Sequence, residues 1–118
     1  MPPATFRCVS PFTGQPIARE HRIAPPDEVD SVCLAAAEAF EWLWAQPRGR
    51  RVALLRGIAD SIAALGESLL TIASEETGLS VPRLAGERDR TIFTLRMFAD
   101  AVADGSCFRP AFDAANPG

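Results

Sequence analysis

The sequence predicts an α+β fold, in which an N-terminal strand pair precedes three amphipathic helices and a C-terminal strand follows them. Three observations lead to this prediction. Short β-branched segments flank a Pro/Gly turn, apolar residues then recur at steps of three and four, and the last segment alternates apolar and polar residues. The strands lack enough partners for a complete sheet, so we expect the chain to be part of a larger fold.

The strand pair is predicted over residues 5–23. Residues 5–9 are apolar and β-branched, and residues 10–14 have turn chemistry, because proline fixes φ and glycine permits a positive φ. Ile17 and Ile23 then alternate loosely with polar residues. A two-stranded hairpin is marginally stable in water, so this one must pack on another element.

The first helix is predicted over residues 26–46. Pro26 suits the first helical position, Asp27 and Glu28 favour the positive end of the helix dipole, and Pro47 ends the run. One apolar face is formed by Val29, Val32, Cys33, Ala36, Phe40 and Leu43.

The second helix is predicted as one element over residues 48–77, ended by Gly78 in a left-handed conformation. Gly66 lies inside it at a cost of roughly 1 kcal/mol relative to alanine. Its stripe is the strongest periodic signal in the chain and consists of Leu55, Ile58, Ile62, Leu65, Leu69 and Ile72.

The third helix is predicted over residues 81–104, with Ser80 as N-cap and Gly105 as terminator. Its core face is expected to contain Ile92, Leu95, Ala99 and Val102. Residues 107–113 then alternate like a strand.

Composition excludes several classes of protein. A chain of 118 residues fits one domain at most, and its 47% hydrophobic and 23% charged residues are ordinary for a soluble globular protein. A net charge of −3 gives no reason to expect nucleic acid or an anionic membrane as a partner. The N-terminal residues resemble no secretory signal, and no apolar run reaches the roughly 18 residues that would span a bilayer. We therefore expect a cytoplasmic protein.

The cysteines and the histidine suggest no site on their own. Cys8, Cys33 and Cys107 are an odd number without paired spacing, which argues against a disulfide framework. They are interpreted as small buried or half-buried hydrophobes, none with a nearby histidine to act as base. His21 is interpreted as an exposed strand residue, and the spacing predicts no metal-ligand cluster.

An ordered set of motifs gives the chain a family likeness. Residues 10–15 read SPFTGQ, residues 27–30 read DEVD, and residues 36–40 read AAEAF, with tryptophan at positions 42 and 44. Arg51, Leu55, Ile58, Ala59 and Asp60 match a further helical pattern, and residues 75–99 read EETGLSVPRLAGERDRTIFTLRMFA. In this order and spacing the motifs resemble the N-terminal part of aldehyde dehydrogenases. Residues 75–99 are most similar to those that act on α-ketoglutarate semialdehyde (2,5-dioxovalerate).

The resemblance implies an NAD(P)-dependent oxidation of an aldehyde to a carboxylate within an α/β fold. A thiolate, a glutamate that activates water, and a Rossmann-like cofactor domain supply that chemistry. All of them lie beyond these 118 residues in the family, and no catalytic or cofactor-binding residue can be assigned here. The implied partners are the remainder of a dehydrogenase chain and further copies of it in a homo-oligomer. NAD or NADP is implied for that whole enzyme only.

The resemblance implies a substrate tunnel beside the third helix, with Gly86 and Arg90 as wall residues. They are four positions apart and share one helical face. A semialdehyde of a dicarboxylic acid carries a carboxylate, and Arg90 is hypothesised to bind it. The alternative is that Arg90 only pairs with Glu87 on the helix surface.

The resemblance also implies a monovalent-cation site, with the backbone oxygen of Val9 and the carboxylate of Glu76 as ligands. A cation would relieve the unfavourable position of a carboxylate at a helix C-terminus. The alternative is that Glu76 is a solvated acid at the end of its helix.

Three hypotheses on function stay open at this point. The chain is an N-terminal piece of an aldehyde dehydrogenase that is inactive alone, a free-standing helical module that binds a partner through its apolar face, or a degenerate enzyme fragment. A reading frame that continues beyond Gly118 with a glycine-rich turn and a later cysteine would settle the first hypothesis. A sharp melting transition of the 118-residue chain alone would favour the second.

Overall fold

The computed structural model describes residues 4–105, which form a hairpin and four helices. The strands are β1 (Thr5–Val9) and β2 (Pro16–Arg22), and the helices are α1 (Pro26–Ala45), α2 (Arg48–Ala64), α3 (Gly66–Thr77) and α4 (Val81–Asp104). The predicted α+β class is confirmed. The predicted strand at 107–113 lies outside the described residues. None of these helices is both long and apolar enough to cross a membrane.

The hairpin pairs β1 with β2 in antiparallel register. Phe6 lies opposite His21 and Arg7 opposite Glu20, and the register shifts between Arg7 and Val9. The Arg7–Glu20 ion pair, at 2.7 Å, lies on the solvent-exposed face. Phe6 and His21 therefore point to the other face, together with Cys8, because side chains two apart on a strand share a side.

The predicted helix over residues 48–77 is divided into α2 and α3, which corrects the sequence-based interpretation. Gly66 has a φ of +54°, a value that ends the regular path of α2 after Leu65. The Ser68 hydroxyl, in the first turn of α3, donates a 2.6 Å hydrogen bond to the carbonyl of Leu65 at the break. The apolar stripe continues across the break, so periodicity alone did not reveal it.

The core lies between α2 and α4. Ala59 on α2 and Ala99 on α4 are fully buried. Two ion pairs flank them, Arg56–Asp100 at 2.8 Å and Asp60–Arg96 at 2.9 Å. The residue numbers of the paired positions increase along α2 and decrease along α4, so the helices are antiparallel. The predicted core face of α4 points inward, since Ile92, Leu95, Ala99 and Val102 are all buried or half-buried.

Helix α1 has no buried residue and is joined to the hairpin by an ion pair between Arg22 and Glu28. Arg22 lowers the pKa of the Glu28 carboxyl mainly through their hydrogen bond. The apolar face of α1 stays open among the described residues, with Phe40 59% and Trp44 70% exposed. The radius of gyration is 21.1 Å, whereas a compact domain of this size has about 13 Å. The described elements therefore expose apolar surface that a complete domain would cover.

Gly78 fixes the approach of the hairpin to the end of α3. Its φ is +74°, and its N–H donates a 2.9 Å hydrogen bond to the Ser74 carbonyl, as in a left-handed helix cap. A Cβ atom at this position would lie 2.8 Å from Cγ of Pro11 in the hairpin turn. Glycine is therefore required both by the backbone conformation and by the close contact with the turn.

We expect Gly78→Ala to destabilise the protein by at least about 1–2 kcal/mol, the cost of a left-handed conformation for an L-residue. Gly57→Ala is the matched control. Gly57 lies inside α2 with no atom within 4 Å of its Cβ position, so alanine there should stabilise by about 0.5–1 kcal/mol. Urea unfolding midpoints measure both changes. Equal shifts at the two positions would contradict this account of Gly78.

Candidate functional site

The hairpin and the last turn of α3 bring three metal-ligating side chains together. Cys8 is on β1, His21 on β2 and Glu76 on α3, and all three are half-buried. Cys8 and His21 share the inner face of the hairpin, and the Pro11–Gly78 contact holds that face against the end of α3. Three separate elements thus contribute one residue each.

The three groups converge on one region. The Cys8 Sγ atom, one ring nitrogen of His21 and one carboxylate oxygen of Glu76 lie within 4.8 Å of one another. Nε2 of His21 lies 3.4 Å from Oε1 of Glu76. This separation is within the range of an ion pair, yet Nε2 is buried and forms no hydrogen bond. The ring is stacked on Phe6, with 5.2 Å between the ring centroids.

This arrangement changes the interpretation of two residues. His21 was expected to be an exposed strand residue, but its side chain is only 34% exposed and it packs on Phe6. Cys8 was expected to have no nearby histidine, and that expectation was wrong. Strand alternation could have placed Cys8 and His21 on one face, but only the docking of the hairpin on α3 brings Glu76 to them. Cys33, expected to be at least half-buried, is exposed.

The shape of the cluster favours a metal site over a catalytic relay. In a nucleophile–base–acid relay, the thiol and the acid contact opposite nitrogens of the imidazole. Here a single nitrogen of His21 lies near both Sγ of Cys8 and the Glu76 carboxylate. Groups that converge in this way can act as ligands of one shared ion.

The predicted cation ligands Val9 and Glu76 come from neighbouring parts of the molecule. Val9 ends β1 directly after Cys8, and its side chain is 55% exposed. The described contact of the Glu76 carboxylate is with His21. The structure thus brings Glu76 to the strand that carries Val9.

The predicted tunnel residues Gly86 and Arg90 lie on the exposed surface of α4. No atom lies within 4 Å of a Cβ placed on Gly86. Arg90 is 76% exposed, and its Nε and Nη2 atoms donate to Oε2 of Glu87 at 3.2 and 2.7 Å. Arg90 also lines a shallow depression of about 310 Å³ with Thr91, Thr94 and Leu95. The pairing with Glu87, one of the two alternatives considered from the sequence, is therefore present.

A larger apolar groove of about 380 Å³ lies where α2, α3 and α4 meet. Leu65, Leu69 and Leu84 are among its lining residues, and Glu87 and Arg88 supply its charged groups. Arg88 is only 20% exposed on its side chain and pairs with Asp89 at 3.0 Å. The groove contains no nucleophile with an adjacent base, so its chemistry is that of an apolar contact surface.

Comparison with known proteins identifies the family. Residues 2–107 match the aldehyde dehydrogenase family. The chain belongs to the aldehyde dehydrogenase family. The resemblance of its motifs to this family is thereby confirmed. The hairpin and helices of this family member hold both the Cys8–His21–Glu76 cluster and the exposed surface around Arg90.

Two curated relatives place the similarity more closely. The chain is 44% identical over 114 residues to "Alpha-ketoglutaric semialdehyde dehydrogenase 2" of Azospirillum brasilense. It is 34% identical over 113 residues to "Alpha-ketoglutaric semialdehyde dehydrogenase" of Acinetobacter baylyi. Each match covers 96% of this aldehyde dehydrogenase chain, which spans 22% of the length of the relative.

Arg90 favours the ionised form of its neighbour Glu87. Its hydrogen bond, and then its charge, hold the pKa of the Glu87 carboxyl below the usual range, with a smaller contribution from Arg83. We expect Arg90→Met to raise the pKa of Glu87 towards the ordinary glutamate value, as followed by NMR titration of the side-chain carboxyl carbon. Arg96→Met is the control, because Arg96 pairs with Asp60 instead.

The sign of the stability effect follows from the lowered pKa. The pair stabilises the fold above the ordinary pKa of glutamate, and this contribution is lost as the pH falls through the lowered pKa of the folded state. The difference in stability between the Arg90→Met protein and the parent should therefore shrink in acid. A difference that grows in acid would contradict the assignment.

Proposed function

We propose that this chain is the N-terminal part of an NAD(P)-dependent dehydrogenase that oxidises α-ketoglutaric semialdehyde to the carboxylate. The observation that carries the proposal is the 44% identity, over nearly the whole chain, to a relative named for that semialdehyde. A second relative with the same named substrate supports it at 34% identity. The described residues include no glycine-rich phosphate-binding turn, so no step that involves the nicotinamide is assigned to them.

We also propose that the chain is not catalytic by itself. Its described residues bury only three hydrophobic side chains, Ala59, Leu70 and Ala99. Large apolar residues on α1 and α4, including Trp44 and Phe93, are exposed. Such surface is normally covered by another part of a protein. The remainder of a dehydrogenase chain, assembled as a homo-oligomer, is the cover that the family membership favours.

A cytoplasmic location is part of the same proposal. The described cysteines Cys8 and Cys33 are both free thiols. Free thiols are maintained in the reducing environment of the cytoplasm.

A chimeric enzyme tests both parts of the proposal. We expect the 118-residue chain alone to reduce neither NAD⁺ nor NADP⁺ in the presence of α-ketoglutaric semialdehyde. Replacing the matching segment of the Azospirillum brasilense relative with this chain should give an active enzyme, because the chain would supply a compatible frame. Activity of the isolated chain, or a folded chimera that oxidises only unrelated aldehydes, would contradict the proposal. The parent relative is the control.

Arg90 is proposed to help recognise the carboxylate of the semialdehyde. Its guanidinium is exposed, and the space beside it at Gly86 is open. The described hydrogen bonds use Nε and Nη2, and both go to one oxygen of Glu87. A guanidinium has five N–H donors, so an incoming carboxylate can bind Arg90 while Glu87 remains in place.

We expect Arg90→Met in the active chimera to raise KM for α-ketoglutaric semialdehyde about tenfold or more, as for a lost charged hydrogen bond of about 1.5–3 kcal/mol. KM for a neutral aliphatic aldehyde should change little, because that substrate has no carboxylate. Arg96→Met, on another ion pair of α4, is the matched control. Equal increases for the two substrates would leave Arg90 with only its contact to Glu87.

The monovalent-cation site at Val9 and Glu76 remains a proposal that rests on the family resemblance. Its support in this chain is the position of Glu76, whose carboxylate lies in the last turn of α3 close to β1. This site shares Glu76 with the cluster of Cys8, His21 and Glu76. Titrations with zinc and with K⁺ or Na⁺ distinguish the two sites.

A further inference from the structure

The cluster of Cys8, His21 and Glu76 has no part in the proposed oxidation. We propose that it is a binding site for one divalent transition-metal ion of the zinc type, which ties the hairpin to the end of α3. The ion would join the two strands of the hairpin to α3, which is distant from them in the sequence. The inference is independent of the aldehyde substrate.

The chemistry of the donors selects the class of metal. A thiolate, an imidazole and a carboxylate are the three side-chain ligands that zinc uses in proteins. Magnesium and calcium prefer sets made only of oxygen ligands, and sodium and potassium likewise bind oxygen rather than sulfur. A site that includes Cys8 and His21 is therefore suited to zinc, or to cobalt as its spectroscopic substitute.

The distances are close to those of a tetrahedral site. Two ligands that each lie about 2.0–2.1 Å from zinc are separated by about 3.3 Å along a tetrahedral edge. His21 Nε2 and Glu76 Oε1 are already 3.4 Å apart. All ligand atoms lie within 4.8 Å of one another, so closing the site on a sulfur that prefers about 2.3 Å to zinc requires movements of about 1 Å.

A bound cation would interact favourably with two polar groups of the cluster, Nε2 of His21 and the carboxylate of Glu76. Nε2 of His21 is buried without a hydrogen bond, which is rare for a buried polar atom and unfavourable. Glu76 places a carboxylate near the negative end of the α3 dipole. A cation between them gives Nε2 a ligand bond and compensates the carboxylate. Phe6 holds the imidazole ring in place through stacking.

Binding requires Cys8 to coordinate as the thiolate. Its S–H bond breaks, the metal–sulfur bond forms, and the proton leaves to the solvent, with no change in oxidation state. His21 binds as the neutral imidazole through its free nitrogen. Three protein ligands leave the fourth position for a water molecule.

The competing interpretation is a simple ion pair between protonated His21 and Glu76. That pair would not involve the sulfur of Cys8. The thiol is therefore the group that distinguishes a metal site from an ion pair.

Cobalt titration of the purified protein tests the proposal directly. We expect Co²⁺ to produce a thiolate-to-cobalt charge-transfer band together with intense visible bands of a tetrahedral site, and Zn²⁺ to abolish them. Mg²⁺, Na⁺ and K⁺ should not. Cys8→Ser should remove the charge-transfer band, and His21→Gln and Glu76→Gln should each weaken binding at least about tenfold. Cys33→Ser, at an exposed thiol on α1, is the matched control and should leave the spectrum unchanged.

A second measurement needs no variant. Zinc should slow alkylation of Cys8 about tenfold or more, read by mass spectrometry, and leave the rate at Cys33 in the same molecule unchanged. Equal effects at the two cysteines, or none, would overturn the proposal. So would a cobalt spectrum that survives both His21→Gln and Glu76→Gln. Stabilisation by K⁺ or Na⁺ without any effect of zinc would assign Glu76 to the monovalent-cation site instead.

Discussion

Helices α2 and α4 pack antiparallel through Ala59 and Ala99, two side chains too small to keep the backbones apart. Both are fully buried, and an Arg–Asp pair on each side fixes the register. The ion pairs are exposed and contribute little stability, so the alanines set the closeness of the contact and the ion pairs set its alignment. The groove among α2, α3 and α4 depends on this alignment.

Much of this architecture could be predicted from the sequence, for identifiable reasons. The residues that begin and end helices act through their local backbone conformation. Pro26, Gly78 and Gly105 therefore mark helix boundaries in the structure as predicted. Ser80 occupies the N-cap position of α4, although its hydroxyl forms no capping hydrogen bond. The break at Gly66 could not be read from periodicity, because glycine is compatible with a helix and the apolar stripe continues beyond it. The positive φ of Gly66 is determined by the tertiary structure and not by the local sequence pattern.

One of the candidate sites could likewise be predicted from the sequence, and the other could not. The pairing of Arg90 with Glu87 depends on helical spacing alone, and the sequence offered it as one of two alternatives. The cluster of Cys8, His21 and Glu76 requires two kinds of structure. The strands of the hairpin must pair, and the hairpin must then dock on α3. No local pattern contains the docking of the hairpin on α3. Neither of the two alternatives considered for Glu76, a cation ligand or a solvated acid at the helix end, included its contact with His21.

The bend at Gly66 also determines how the two candidate sites are related in space. A continuous helix over residues 48–77 would be about 45 Å long and would carry Glu76 straight onward from α2. The bend gives α3 its own direction, while α2 and α4 keep theirs. Leu69 and Leu70 of α3 then line the apolar groove together with Leu84 of α4. Glu76 and Arg90 are thus carried by two different helices, which are separated in the sequence only by the Gly78 cap and the two residues after it.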